Sequence, residues 1–198
     1  MNLGLLTLLI NKFKGRKIVE SEPKPTAPTP NIITPQVLEL NPNLTAAKFI
    51  AWVEPIAKEL EKNTGVSATV AMAQAAHESR YGNSQLARVA CNLFGIKATD
   101  SWKKAGKMIY SIPTGEVIEG KSITVNAHFR AYDSWNESFE DWANLMQKSI
   151  YHYAFSAMKS GNPKGAIREI AKAGYATDPR YADKVEKMFD YIKNGGLA

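Results

Sequence analysis

The chain has 198 residues, of which 44% are hydrophobic and 22% charged, the balance of one globular domain with a true core and a short extension. Its formal net charge of +6 favours polyanionic partners. The lysines are scattered, however, and no zinc-finger, basic-zipper or RNA-binding signature occurs, which argues against nucleic acid. A single cysteine, Cys91, excludes an internal disulfide. It reads as a small buried hydrophobe rather than a nucleophile, since the nearest histidine, His77, has no evident third partner. A monomer is expected.

Residues 1–20 form an apolar and then basic segment: Leu3–Ile10 is apolar, and Lys12, Lys14, Arg16 and Lys17 follow. The run is too short to span a bilayer, which takes about 20 residues. It lacks the leading charge and the small-x-small site of a secretory signal. It reads as either an amphipathic anchor on an anionic membrane surface or a helix packed on protein. Residues 21–44 hold six of the ten prolines and read as an extended linker. The folded domain is placed at 45–198.

Within it, Phe49, Ile50, Trp52, Val53, Ile56, Ala57 and Leu60 recur at helical spacing, with Pro55 expected to kink or split the helix. Ser67 predicts the N-cap of an alanine-rich helix over Ala68–Ser79, stopped by Gly82. Asn83 or Ser84 predicts the cap of a short helix to about Val89. Ser122–Arg130 alternates Ile123, Val125, Ala127 and Phe129 with polar residues, which predicts a strand with those four facing inward. Lys107–Ile112 is its expected partner, and Pro113–Gly120 reads as turn. Ser134 and Glu137 form a capping-box pattern before the stripe Phe139, Trp142, Leu145 and Met146. A short helix near Tyr151–Lys159 follows. Further helices are expected to open at Asn162-Pro163 and at Asp178-Pro179, the last facing Tyr181, Val185, Met188, Phe189 and Ile192 inward. The fold class is therefore mainly α (α+β), a helical lobe with a small β-hairpin lobe, and such lobes leave a groove suited to a polymer.

Glu78 ends the alanine-rich helix in Ala-Gln-Ala-Ala-His-Glu-Ser-Arg-Tyr-Gly. Small apolar neighbours imply a buried helix, and a partly desolvated carboxyl has a raised pKa, as a general acid requires. The alternative is a solvated helix-end glutamate pairing with Arg80. No His-x-x-x-His spacing joins His77, His128 and His152, and no phosphate-cradling glycine loop occurs, so neither metal nor cofactor is expected.

The stretch Met72–Gly82 resembles the catalytic signature of the glucosaminidase family, glycoside hydrolase family 73, which includes the C-terminal domain of the flagellar rod-cap hydrolase. Asn92-Leu-Phe-Gly-Ile-Lys-Ala98, Phe129-Arg-Ala-Tyr-Asp-Ser134 with Glu137-Ser-Phe139, and Gly174-Tyr-Ala-Thr-Asp-Pro179 with Tyr181-Ala182 are similar to its later motifs, in the same order. The match covers roughly 47–193. It implies a lysozyme-like fold and a peptidoglycan hydrolase that cuts the glycan backbone, most simply an endo-β-N-acetylglucosaminidase acting at the cell wall, as in a phage or prophage endolysin. The rivals are a muramidase, a lytic transglycosylase and a non-catalytic wall-binding protein.

By the same resemblance Glu78 is the general acid and Tyr175 the active-site tyrosine. The second carboxylate is Glu116, with Glu119 as its rival, because Gly115 and Val117 stand where threonine and tyrosine are expected. Tyr81, Phe94 and Tyr132 are candidates to stack on sugar, with core packing as the alternative for Phe94, and Asn92 is expected to contact substrate. His77 replaces a larger apolar residue, and Arg80-Tyr81 the commoner glycine-tryptophan pair.

Overall fold

In the computed structural model the described residues are 32–33 and 44–195 except 119–120, and the side chains of 114–125 lie outside the description. The segment 1–20, most of 21–43 and Glu119 therefore fall outside it. The elements are β1 (Ile32–Ile33), α1 (Ala46–Thr64), α2 (Ala68–Ser79), α3 (Gln85–Ala90), α4 (Asp100–Lys104), β2 (Ile109–Ile118), β3 (Lys121–Arg130), α5 (Trp135–Met146), a 3-10 turn (Ser149–Tyr151), α6 (His152–Lys159), α7 (Pro163–Lys172) and α8 (Tyr181–Lys193). This is the mainly helical, lysozyme-like arrangement with one small sheet. Among the described residues no helix is long and apolar enough to cross a membrane.

The centre of the molecule is α2. Ala71, Ala73, Ala75 and Ala76 are all buried, because side chains this small let α1, α7 and α8 approach from several sides. Ser67 caps it by accepting from Val70 N–H. Phe49, Val53, Ala57 and Leu60 form the inner stripe of α1. From the other side Trp142 of α5 is fully buried, stacks on Phe94 at 5.3 Å and donates its indole N–H to Gln74 Oε1 at 3.0 Å. Each such large apolar side chain contributes about 1.5–3 kcal/mol when fully buried.

Five local expectations are corrected. Helix α1 runs unbroken through Pro55, because Pro55 and Ala51 lie on its exposed face and water can serve the carbonyl that proline leaves unpaired. Trp52 is exposed and lies against Trp135 at 5.9 Å rather than in the buried stripe of α1, whereas α2 ends at Ser79 as expected, with Arg80 (φ 52°) and Tyr81 (φ 56°) both left-handed. Strand β2 includes Pro113–Ile118, paired antiparallel with β3 (Pro113↔Asn126, Glu116↔Ile123), where a turn was expected. Proline is tolerated there because, among the described residues, β1 pairs with β2 at Ile109 and Tyr110 and not at Pro113. On β3 it is Arg130 that is buried while Phe129 is half-buried, for Arg130 finds a carboxylate inside. Finally, α8 begins one residue after Arg180, and Asp178 accepts from Arg180 N–H instead of capping the helix.

The consecutive left-handed residues 80–81 cost about 1–3 kcal/mol each and must be held by their surroundings. Gly82 N–H donates to Ser79 Oγ at 2.7 Å, and Asn83 Nδ2 donates to Arg80 O at 3.0 Å. Gly82 itself has φ 76°, and a Cβ there would lie 2.8 Å from the Trp135 ring and 3.1 Å from Phe49. Gly82→Ala is expected to lower unfolding free energy by about 2 kcal/mol, through left-handed strain plus overpacking, read as a lower denaturant midpoint at constant slope.

Candidate active site

Glu78 occupies the last turn of α2, half-buried, where the buried alanine run meets the left-handed turn. One carboxyl oxygen, Oε2, lies 3.5 Å from the position a Cβ would take on Gly95. Gly95 (φ 65°) belongs to the loop 91–97 that Asn92 organises. Asn92 is buried and makes four bonds: Nδ2 donates to Ile96 O at 3.0 Å and Arg130 O at 2.8 Å, and Oδ1 accepts from Phe94 N–H at 3.3 Å and Ile96 N–H at 3.2 Å. This loop forms the wall beside the carboxyl.

Tyr175 closes a second side. Its hydroxyl donates to Phe94 O at 2.8 Å, and its ring stacks on Tyr181 at 6.0 Å with 22° between planes. Tyr175 is half-buried as a residue, yet its hydroxyl sits where ionisation is strongly disfavoured by burial and then by the neighbouring Glu78 charge. The Tyr181 hydroxyl is buried and faces Glu78 and Gln74 without closing a hydrogen bond of full geometry to either. Burial raises the Glu78 pKa above the usual carboxylate range, and the Tyr181 hydroxyl opposes this only partly. The environment therefore favours the protonated carboxyl, the form that can give a proton away.

His77 packs edge-on against Tyr181 at 5.6 Å. Burial lowers its pKa first, Lys184 lowers it further and Asp178 opposes them, so its charged form is disfavoured. Cys91 ends α3 in a left-handed conformation, and burial, then Asp133 and Glu137, push its thiol pKa up, which works against a thiolate.

Of the other residues singled out by sequence, Glu116 sits on β2 opposite Ile123, two residues before the strand ends. Asn92, Phe94 and Tyr132 are buried and offer no face to a sugar. Asn92 ties the loop, Phe94 fills the core between Phe139 and Trp142, and Tyr132 donates to Asp141 Oδ2 at 2.7 Å. Tyr81 is half-buried, edge-on to Phe49, and its hydroxyl donates to Met188 Sδ at 3.0 Å. Tyr181 and Gln74, which touch the Glu78 environment, lie inside the motifs that carry the family resemblance, but the sequence assigns neither a role at the site. Nothing in their spacing announces a polar neighbour across the fold.

Residues 54–194 match the glucosaminidase family model, described as mannosyl-glycoprotein endo-β-N-acetylglucosaminidase. The chain is 35% identical over 148 residues to the peptidoglycan hydrolase FlgJ of Pseudomonas aeruginosa, covering 73% of this chain and 36% of that protein. It is also 35% identical over 148 residues to the exo-glucosaminidase LytG of Bacillus subtilis, covering 72% of this chain and 50% of that one. It thus spans half or less of either relative's length. A truncated glycoside hydrolase domain of Salmonella typhimurium FlgJ superposes with a TM-score of 0.62 at 30% identity, covering 76% of this chain and 99% of the other.

Proposed function

Because the chain belongs to the glucosaminidase family, we propose that it is an endo-β-N-acetylglucosaminidase that cuts the glycan backbone of peptidoglycan, acting outside the cytoplasmic membrane where that polymer lies. One observation supports this above the rest: a carboxyl at the end of a buried helix, walled by Gly95 and Tyr181, whose surroundings favour its protonated form. Glycoside cleavage needs a proton on the departing oxygen and compensation for positive charge at the anomeric carbon. Glu78 gives the proton. Glu116, or Glu119 beyond it, serves as the second carboxylate, activating water or shielding charge.

In a substrate-assisted route the sugar's own acetamido oxygen attacks the anomeric carbon and a second protein carboxylate is dispensable. Tyr175 then borders the reacting ring, its hydroxyl fixed by Phe94 O. In this reading Asn92, Phe94 and Tyr132 act by holding the loop and the sheet base in place, not by touching sugar. Digestion of purified peptidoglycan followed by mass spectrometry of the soluble fragments tests the proposal. Fragments with reducing N-acetylglucosamine ends, spread over internal chain lengths, are expected. Reducing muramic ends would make it a muramidase, 1,6-anhydro ends a transglycosylase, and release of single terminal sugars an exo-enzyme.

A further inference from the structure

The described residues line a cleft of about 310 Å³ whose walls include Trp102, Lys107, Arg130, Asp141 and Lys148 and do not include Glu78. A second cleft of about 190 Å³ shares Trp102, Lys107, Asp141 and Asn144 with it and adds Glu137 and Glu140. The first presents three cations against one carboxylate, and the second three carboxylates against one cation. Trp102 is the common floor. Its indole N–H is fixed on Met108 O at 2.9 Å, the Arg130 guanidinium lies 4.4 Å from the ring centre, and Lys107 Nζ lies 4.3 Å from it.

Arg130 is 7% exposed. Its Nη1 donates to both Asp141 oxygens, at 2.8 and 2.7 Å, while its Nε has no partner. An aromatic floor with a basic end and an acidic end, one buried cation only partly satisfied, suits a ligand carrying a carboxylate and an ammonium a few bonds apart. A neutral sugar has neither. A polyphosphate would meet the basic end and be repelled by Glu137 and Glu140. The inner wall also lies within electrostatic reach of the proposed catalytic site, since Tyr132 and Asp141 both act on the Tyr175 hydroxyl.

Resting on the reading of wall glycan as substrate, we infer that the Trp102 double cleft binds the peptide stems hanging from that glycan, a stem carboxylate at the Lys107–Lys148 end and a free stem amine at the Glu137–Glu140 end. Stem docking here anchors the strand while Glu78 acts on the backbone.

Calorimetric titration of the full chain with a sugar-free stem peptide tests this, using as comparisons the same peptide with its carboxylates amidated and inorganic phosphate. The free peptide is expected to bind saturably, and the amidated one about tenfold more weakly, as loss of a charge-assisted contact requires. The double variant Lys107→Gln/Lys148→Gln, with its fold checked by melting, is expected to bind the free peptide about fivefold more weakly or worse. Absence of binding would overturn the inference, as would binding indifferent to amidation and to the lysines. Phosphate competing as strongly as the peptide would reduce the cleft to a general anion site and overturn it as well. Cleavage of bare, stem-free glycan by the same preparation reads the catalytic proposal separately, so either can fail alone.

Discussion

Glu78→Gln is expected to abolish wall clearance and, at neutral pH, to raise the melting temperature. Glutamine keeps the shape and packing beside Gly95 and Tyr181 but has no proton to donate. General acid catalysis contributes about 10²–10⁴ in rate, so turbidity loss should fall by at least that range's lower bound. The stability effect has the opposite sign. Burial raises the folded-state pKa of Glu78, while in the unfolded chain it titrates near the ordinary glutamate value of about 4.3. As pH rises through the unfolded value, the unfolded chain loses this proton first, and folding stability declines until the folded value is passed. The glutamine variant escapes that decline, so its advantage over the parent should open across that window and then hold constant. The same raised pKa sets the basic limb of the parent's kcat/KM profile, which should fall as pH rises past it because the protonated acid is lost. A variant that clears wall as fast as the parent, or that gains no stability at neutral pH, would mean a solvated carboxylate with no catalytic part.

Much of this arrangement was readable in the sequence because it depends on short-range chemistry. The alanine run announced α2 as buried, since small side chains let neighbouring helices close on several of its faces. Ser67, Ser84, Ser134 and Asn162 each cap the helix expected of them, because a cap is a contact within one turn. The length of β2 was not readable. Val117 and Pro113 look like turn until the antiparallel partner is present to pair with them. Nor was the inward turn of Arg130, which depends on Asp141 eleven residues away and overrides the alternation of its own strand.

At the site, Glu78 stood out by its local context, and its raised pKa follows from the burial that context implied. Tyr181 stood out only as a position in the last motif, with no polar role attached. It occupies an ordinary inward position on α8, and only the packing of α8 on α2 brings its hydroxyl to the carboxyl. Asn92, Phe94 and Tyr132 show the converse difficulty. A polar or aromatic residue in a motif reads the same whether it meets a sugar or fastens the loop that does.

That fastening gives the second large effect, in Asn92→Ala. The substitution strands Phe94 and Ile96 N–H together with the Arg130 carbonyl, and leaves Ile96 O with only its bond from Arg130 N–H. Each buried group left unpaired costs about 1–3 kcal/mol, and after local relaxation the total loss should be about 3 kcal/mol or more, read from chemical denaturation. Activity should fall too, well below the melting range, because the loop carries both the Gly95 wall of Glu78 and the Phe94 carbonyl that fixes Tyr175. Misplacement of a catalytic group by about 1 Å costs about 10²-fold, and the turnover of the still-folded variant should drop on that scale. With the wall loosened, water reaches the carboxyl and the basic limb of the pH profile should move toward the ordinary glutamate value. This shift separates loop positioning from simple loss of folded protein, which lowers the whole profile without moving it. An Asn92→Ala protein with the parent's denaturation midpoint and pH profile would show that the loop holds its shape by other means and that the walls of the Glu78 site do not depend on it.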